Sequence, residues 1–172
     1  MELPIKDRIH AMSKTKIIEV SDGAYFANGF FKRAFGDELP EWGHHLVCFY
    51  QKNPNHLIPL GYLNLLAHET VILVGGGVTN GAAFSEVDPD DALQIREEGG
   101  VLFKMLRYGF ENFADHCEAF FGHAGNERAL EVDLKAGFEL TQYENLIVNF
   151  HKPLDTERKT QLIEELYQFG SF

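Results

Sequence analysis

The chain has 172 residues, 45% of them hydrophobic and 15 of them phenylalanine, which suits one compact domain over residues 1–172. Its formal net charge is −11 at pH 7. Such a surface repels phosphate backbones and anionic lipids, so the expectation is no nucleic acid and no membrane partner. Cys48 and Cys117 match no metal or redox spacing and read as free thiols, the opening MELPIKDRIH lacks the apolar stretch of a secretory leader, and no apolar run reaches membrane-spanning length. The expected compartment is the cytoplasm.

In chain order, Lys16–Val20 reads as a short strand and Asp22–Phe35 as a helix with Asp22 as its cap. A loop, GDELPEWG, leads to a β-rich stretch at His44–Gln51. The turn signal KNPNH then returns the chain as a second strand over Leu57–Glu69. TVILVGGGV and GAAFSEVDP are expected to add one or two more strands. Gly99–His116 carries Leu102, Met105, Leu106, Phe110 and Phe113 at helical spacing, with Lys104, Arg107, Glu111 and Asp115 opposite. Cys117–Gly125 reads as a strand, Gly125–Phe138 as a short helix stopped by Gly137, and Leu140–Lys152 as one or two strands. An amphipathic helix at about 155–169 follows, with Leu162, Ile163, Leu166 and Phe169 on one side. Early strands joined by a hairpin and later ones joined through helices make a mixed α/β or α+β sheet.

The glycine run Val74–Gly81 fails as a dinucleotide fingerprint, because Asn80 occupies the third glycine position and no helical pattern follows; a hairpin or bulge is the plainer reading. REEGGVLF, Arg96–Phe103, is more informative. There Gly99 and Gly100 open an amphipathic helix, and the free amides of a helix N-terminus favour phosphate. His44 and His45 are neighbours on a strand and point to opposite faces, so they do not make a joint metal site. The helix Glu127–Ala136 raises its own question. On a wheel of about 100° per residue, Ala129, Leu130, Val132, Leu134 and Ala136 form one apolar arc, and Asp133 falls within it. A carboxylate there is either bonded to a neighbour or faces a cleft with its pKa moved by desolvation.

Several of these pieces recur in a known order. Val87-Asp88-Pro89 looks like a strand end, Arg96-Glu97-Glu98-Gly99-Gly100-Val101 like a glycine loop before a long helix, and Asn126, Ala129 and Gly137-Phe138 like the frame of a later helix. In order and spacing, about Phe84–Lys152 resembles the GNAT superfamily of acyl-CoA N-acyltransferases. The resemblance implies an α+β fold whose mostly antiparallel central sheet is splayed and flanked by helices, with acetyl-CoA in the splay. It implies a cofactor site beside Val87 and Arg96, with the diphosphate on the amides of Glu98, Gly99, Gly100 and Val101. Asn126 would touch the pantetheine arm or order the following helix. It further implies direct acyl transfer to the amine of a small molecule or peptide. Glu86 or His123 would serve as base, and Asp133 stands where the family has a tyrosine acid. A carboxylate can act as that acid only with its pKa raised well above the ordinary range. The acidic DDALQI between Pro89 and Arg96 exceeds the family's usual spacing and would either cover or spoil the diphosphate site. Two other readings remain. One is a non-catalytic domain of the same fold that binds CoA or another ligand; the other is an interaction module whose C-terminal helix pairs with a twin subunit in a homodimer.

Overall fold

The computed structural model describes residues 14–172, so the reading of the opening stretch lies outside the described residues. Strand β1 (Thr15–Val20) leads to helix α1 (Gly23–Phe35), capped by Asp22, whose carboxylate accepts from the Tyr25 amide at 2.9 Å. Strands β2 (His44–Asn53), β3 (His56–His68) and β4 (Val71–Thr79) follow as an antiparallel meander. Helix α2 (Pro89–Glu97) and helix α3 (Val101–Phe113) carry the chain to β5 (Ala119–His123). After helix α4 (Glu127–Ala136), strands β6 (Glu139–Leu140) and β7 (Leu146–Asn149) complete the sheet, and helix α5 (Thr156–Phe169) follows.

The strands form one seven-stranded sheet in the order β1-β2-β3-β4-β5-β7-β6, antiparallel except between β4 and β5. Successive side chains on a strand face opposite sides, and the core divides accordingly. Leu46, Cys48 and Tyr50 of β2 face a layer that includes Met105 and Phe110 of α3 and Ala136 of α4. Val47 and Phe49 between them pack with Phe30 and Phe31 of α1 on the other side. On that second side α5 sets Leu162 and Leu166 against Val71, Phe121 and Val148. Thus α1 and α5 cover one face, and α3 and α4 cover the other. Arg158 ties α5 to the sheet through both carboxylate oxygens of Glu118, at 2.6 and 3.2 Å. That hydrogen bonding holds the Glu118 carboxyl down at about 2.

Three expectations need correction. GAAFSE, Gly81–Glu86, is a 3-10 turn and not a strand. Val87-Asp88-Pro89 is therefore no strand end: Val87 is 5% exposed in the core, and Pro89 is the first residue of α2, a position that suits its missing N–H and fixed φ. On α4 the covered stripe runs through Ala129, Val132, Asp133 and Ala136, while Leu134 is 40% exposed.

Candidate functional site

The site originates in one backbone irregularity. Leu63 pairs with Gly77 and Leu65 with Val74, so β4 spends one residue more than β3 across Asn64. The bulge falls at Gly75-Gly76, and a bulge bends its strand and increases its twist. A side chain at Gly76 would meet the Phe31 ring at 2.6 Å. Past this point β4 and β5 separate. Their pairing runs only from Val71↔Ala119 to Val74↔Gly122. Beyond it β4 follows β3, and β5 follows β7 through His123↔Leu146. The gap opens into a cleft of about 1340 Å³, more than the roughly 300–1,000 Å³ of a pocket for one small ligand.

The cleft passes between the two faces of the sheet. Its mouth on the α3–α4 face is built from backbone and cations. Gly99 and Gly100 line it, with φ of +106° and +91°, and a Cβ on Gly99 would collide with the Phe103 ring at 2.4 Å. Here the expected amide cradle is corrected. The N–H of Glu98 bonds to Gln94 O, that of Gly99 to Arg96 O and that of Gly100 to Ile95 O, at 2.9 to 3.1 Å. These donors close the C-terminus of α2 and are spent. The helical bonds of α3 begin with Lys104 N–H to Gly100 O, and no side chain caps the helix. The open amides are those of Val101, which was expected, and of Leu102 and Phe103 after it. Glu98 itself does not line the cleft; its carboxylate accepts from Gln94 and pairs with Lys104.

Two guanidiniums flank those amides. Arg96, in the last turn of α2, and Arg128, in the first turn of α4, both line the cleft, and neither has a carboxylate partner among the described residues. Arg128 was not picked out from the sequence, because a lone arginine on a charged helix face carries no local signal. The inserted acids do not fill this mouth. Asp91 accepts from Tyr50 Oη at 2.6 Å and from Lys14 Nζ at 2.8 Å, beneath α2. There burial, seconded by the Asp91 bond, pushes the Tyr50 phenol up to about 12. Asn126 caps α4, accepting from the Ala129 amide at 2.9 Å, and it lines the cleft as well.

Asp133 of α4 lines the cleft with no hydrogen-bond partner for its carboxylate among the described residues. Burial alone raises its pKa to about 6. His123, at the end of β5, lies on the same face as Phe121 and hence toward α5. Its ring packs on Phe172 at 4.4 Å, and desolvation lowers its pKa. Glu86 is corrected: it sits at the end of the 3-10 turn, exposed, and does not reach the cleft. Val87 is likewise remote from it, being packed in the core.

No family model matches the sequence, and no curated protein matches it either. Solved structures do. The NatC complex bound to Gag peptide and CoA superposes with a TM-score of 0.50 over 81% of this chain and 99% of that one, at 11% identity. The chain has the GNAT acyltransferase fold. A GNAT-family acetyltransferase from Bacillus anthracis matches with a TM-score of 0.42 over 78% of this chain and 91% of that one, at 12% identity. The KacTA-DNA complex matches with a TM-score of 0.45 over 88% and 99%, at 13% identity. That protein is in complex with DNA, and the expectation of no nucleic acid is withdrawn. Net charge is an average over the whole surface, and it does not settle which partners a protein of this fold takes. No described helix is long and apolar enough to cross a membrane.

Proposed function

We propose that the protein is an N-acetyltransferase that takes acetyl-CoA at the α3–α4 mouth and an amine at the opposite one. The observation that carries this reading is the parting of β4 and β5 past Val74 and Gly122, beside three open amides and two unpaired arginines. Those donors fit a diphosphate, since amides at a helix N-terminus and guanidiniums both recognise phosphate oxygens. The three amides would be those of Val101, Leu102 and Phe103, with Gly99 and Gly100 allowing close approach and Arg96 and Arg128 closing over the charge. Asn126 keeps α4 in register along the cleft. The bound group supplies a thioester carbonyl as acyl donor.

The two titratable groups divide the proton chemistry by face. His123 stands on the α5 side, where the amine enters. Desolvation lowers its pKa and so favours the neutral imidazole, the form that can take a proton. Asp133 stands on α4, and burial, which raises its pKa to about 6, keeps its protonated form accessible near neutral pH. It serves as the acid for the departing sulfur. An ionised carboxylate at that point would repel a thiolate, so the unpaired, desolvated setting is what suits Asp133 to the role.

The test is twofold. Acetyl-CoA at a hundred times its Kd should stabilise the protein by about 2.7 kcal/mol in thermal unfolding. Release of free CoA thiol should then depend on an added amine. No stabilisation at millimolar acetyl-CoA refutes the reading. Stabilisation without turnover for any amine would favour a CoA-binding domain without catalysis, a reading that the replacement of the usual tyrosine by Asp133 supports.

A further inference from the structure

The mouth on the α1–α5 face differs in chemistry. Three of the exposed large apolar side chains converge on it: Phe35 at 48%, Trp42 at 67% and Phe169 at 49% relative exposure. Phe172 joins them, with its ring 6.2 Å from that of Phe169 and packed at a tilt against His123. These rings come from the end of α1, the following loop, and the end of α5 with the residues after it. Apolar area gathered at one opening marks a binding surface. Two carboxylates of the loop after α1 line this rim. Glu38 is committed to Lys32 and to the Asn28 amide, whereas Asp37 lines the cleft with no partner among the described residues. An aromatic rim with one free carboxylate suits a cation carried on an apolar body, through ring stacking, cation–π attraction and long-range steering.

We infer that this mouth selects a small primary amine joined by a short alkyl link to an aromatic body. The rings of Phe35, Trp42, Phe169 and Phe172 clasp the body, and Asp37 draws in the ammonium. The inference rests on the transferase reading only for what becomes of the amine; the binding site stands on the rings and the charge.

Trp42 is the sole tryptophan of the chain, so its fluorescence reports this mouth without any need for turnover. 2-Phenylethylamine should produce a saturable change in that emission. Ethylamine, which lacks the ring, and 3-phenylpropionate, which lacks the ammonium, should each bind at least about tenfold more weakly, the equivalent of one lost aromatic contact or charge. Phe169→Ala, at a half-exposed position that does not support the core, should raise KM for 2-phenylethylamine about tenfold with kcat within about twofold. Phe169→Tyr should restore it. A Trp42 response to 2-phenylethylamine without stabilisation by acetyl-CoA would keep the amine site and remove the transferase reading. Stabilisation by acetyl-CoA with no Trp42 response to the amine would overturn the amine site alone. A preference for spermidine, or for a peptide with an N-terminal phenylalanine, over 2-phenylethylamine would also overturn it.

Discussion

The two mouths of the cleft are built by opposite means. On the α3–α4 face the proposed recognition would rest on two glycines with positive φ, a bare helix start and two arginines at helix ends. On the α1–α5 face it would rest on side chains alone, as rings and a carboxylate brought from distant parts of the chain. Backbone donors are held by helix geometry and tolerate little redesign, whereas exposed rings can be exchanged at small cost to the fold. This contrast makes the first mouth suited to an invariant ligand and the second to a substrate that defines the individual protein.

The largest expected effect concerns the proposed acid. Asp133→Asn should lower kcat by about 10²–10³, within the usual range for a lost general acid, while leaving acetyl-CoA affinity intact. In the parent, kcat should fall as pH rises through about 6, and that limb should vanish in the variant. Full turnover of the variant would leave the cleft without its acid. Next comes the cofactor mouth. Arg96→Ala with Arg128→Ala should weaken acetyl-CoA about a hundredfold by calorimetry, and each alone about tenfold, since the two guanidiniums act from different helices. Amine binding read from Trp42 should not change, and a parallel loss at both mouths would dissolve the distinction between them.

A smaller effect concerns stability. Because the folded-state pKa of Asp133 is raised from 3.8 to about 6, this group favours the fold most below pH 3.8, and that contribution disappears as pH rises through 6. Asp133→Asn should therefore gain on the parent between pH 5 and pH 8, by about 1–2 kcal/mol once water screening of this partly exposed group is allowed for. The smallest is Asn126→Ala, which removes the cap of α4 and should cost about 1 kcal/mol in chemical denaturation.

What the sequence discloses is what local chemistry determines. Asp22, Asn126 and Asp155 each bond an amide three residues ahead, and the Asp22 cap was read from residue type alone. So were the turn between β2 and β3 and the glycine stop of α4, which depend on residues next to one another. The segment from Gly81 to Pro89 was misread for the same reason. Its short apolar runs fit a strand by pattern, but Asn80 N–H bonds to Leu60 O and the chain turns there into a 3-10 turn. The glycine loop was found, but of its four expected donors only the Val101 amide is open. From sequence alone, nothing says that an inserted helix ends by taking the other three for itself. The aromatic mouth was illegible, because only the folded sheet brings Phe35 and Trp42 to the same opening as Phe169 and Phe172.

The passage runs through the sheet from one side to the other, and this has a kinetic consequence. If acetyl-CoA and the amine enter as proposed, each has its own door, so neither must leave before its counterpart can arrive. Initial-rate plots at varied concentrations of both should give lines that intersect, as for a ternary complex formed in either order, and not the parallel lines of an enzyme that stores the acyl group on itself.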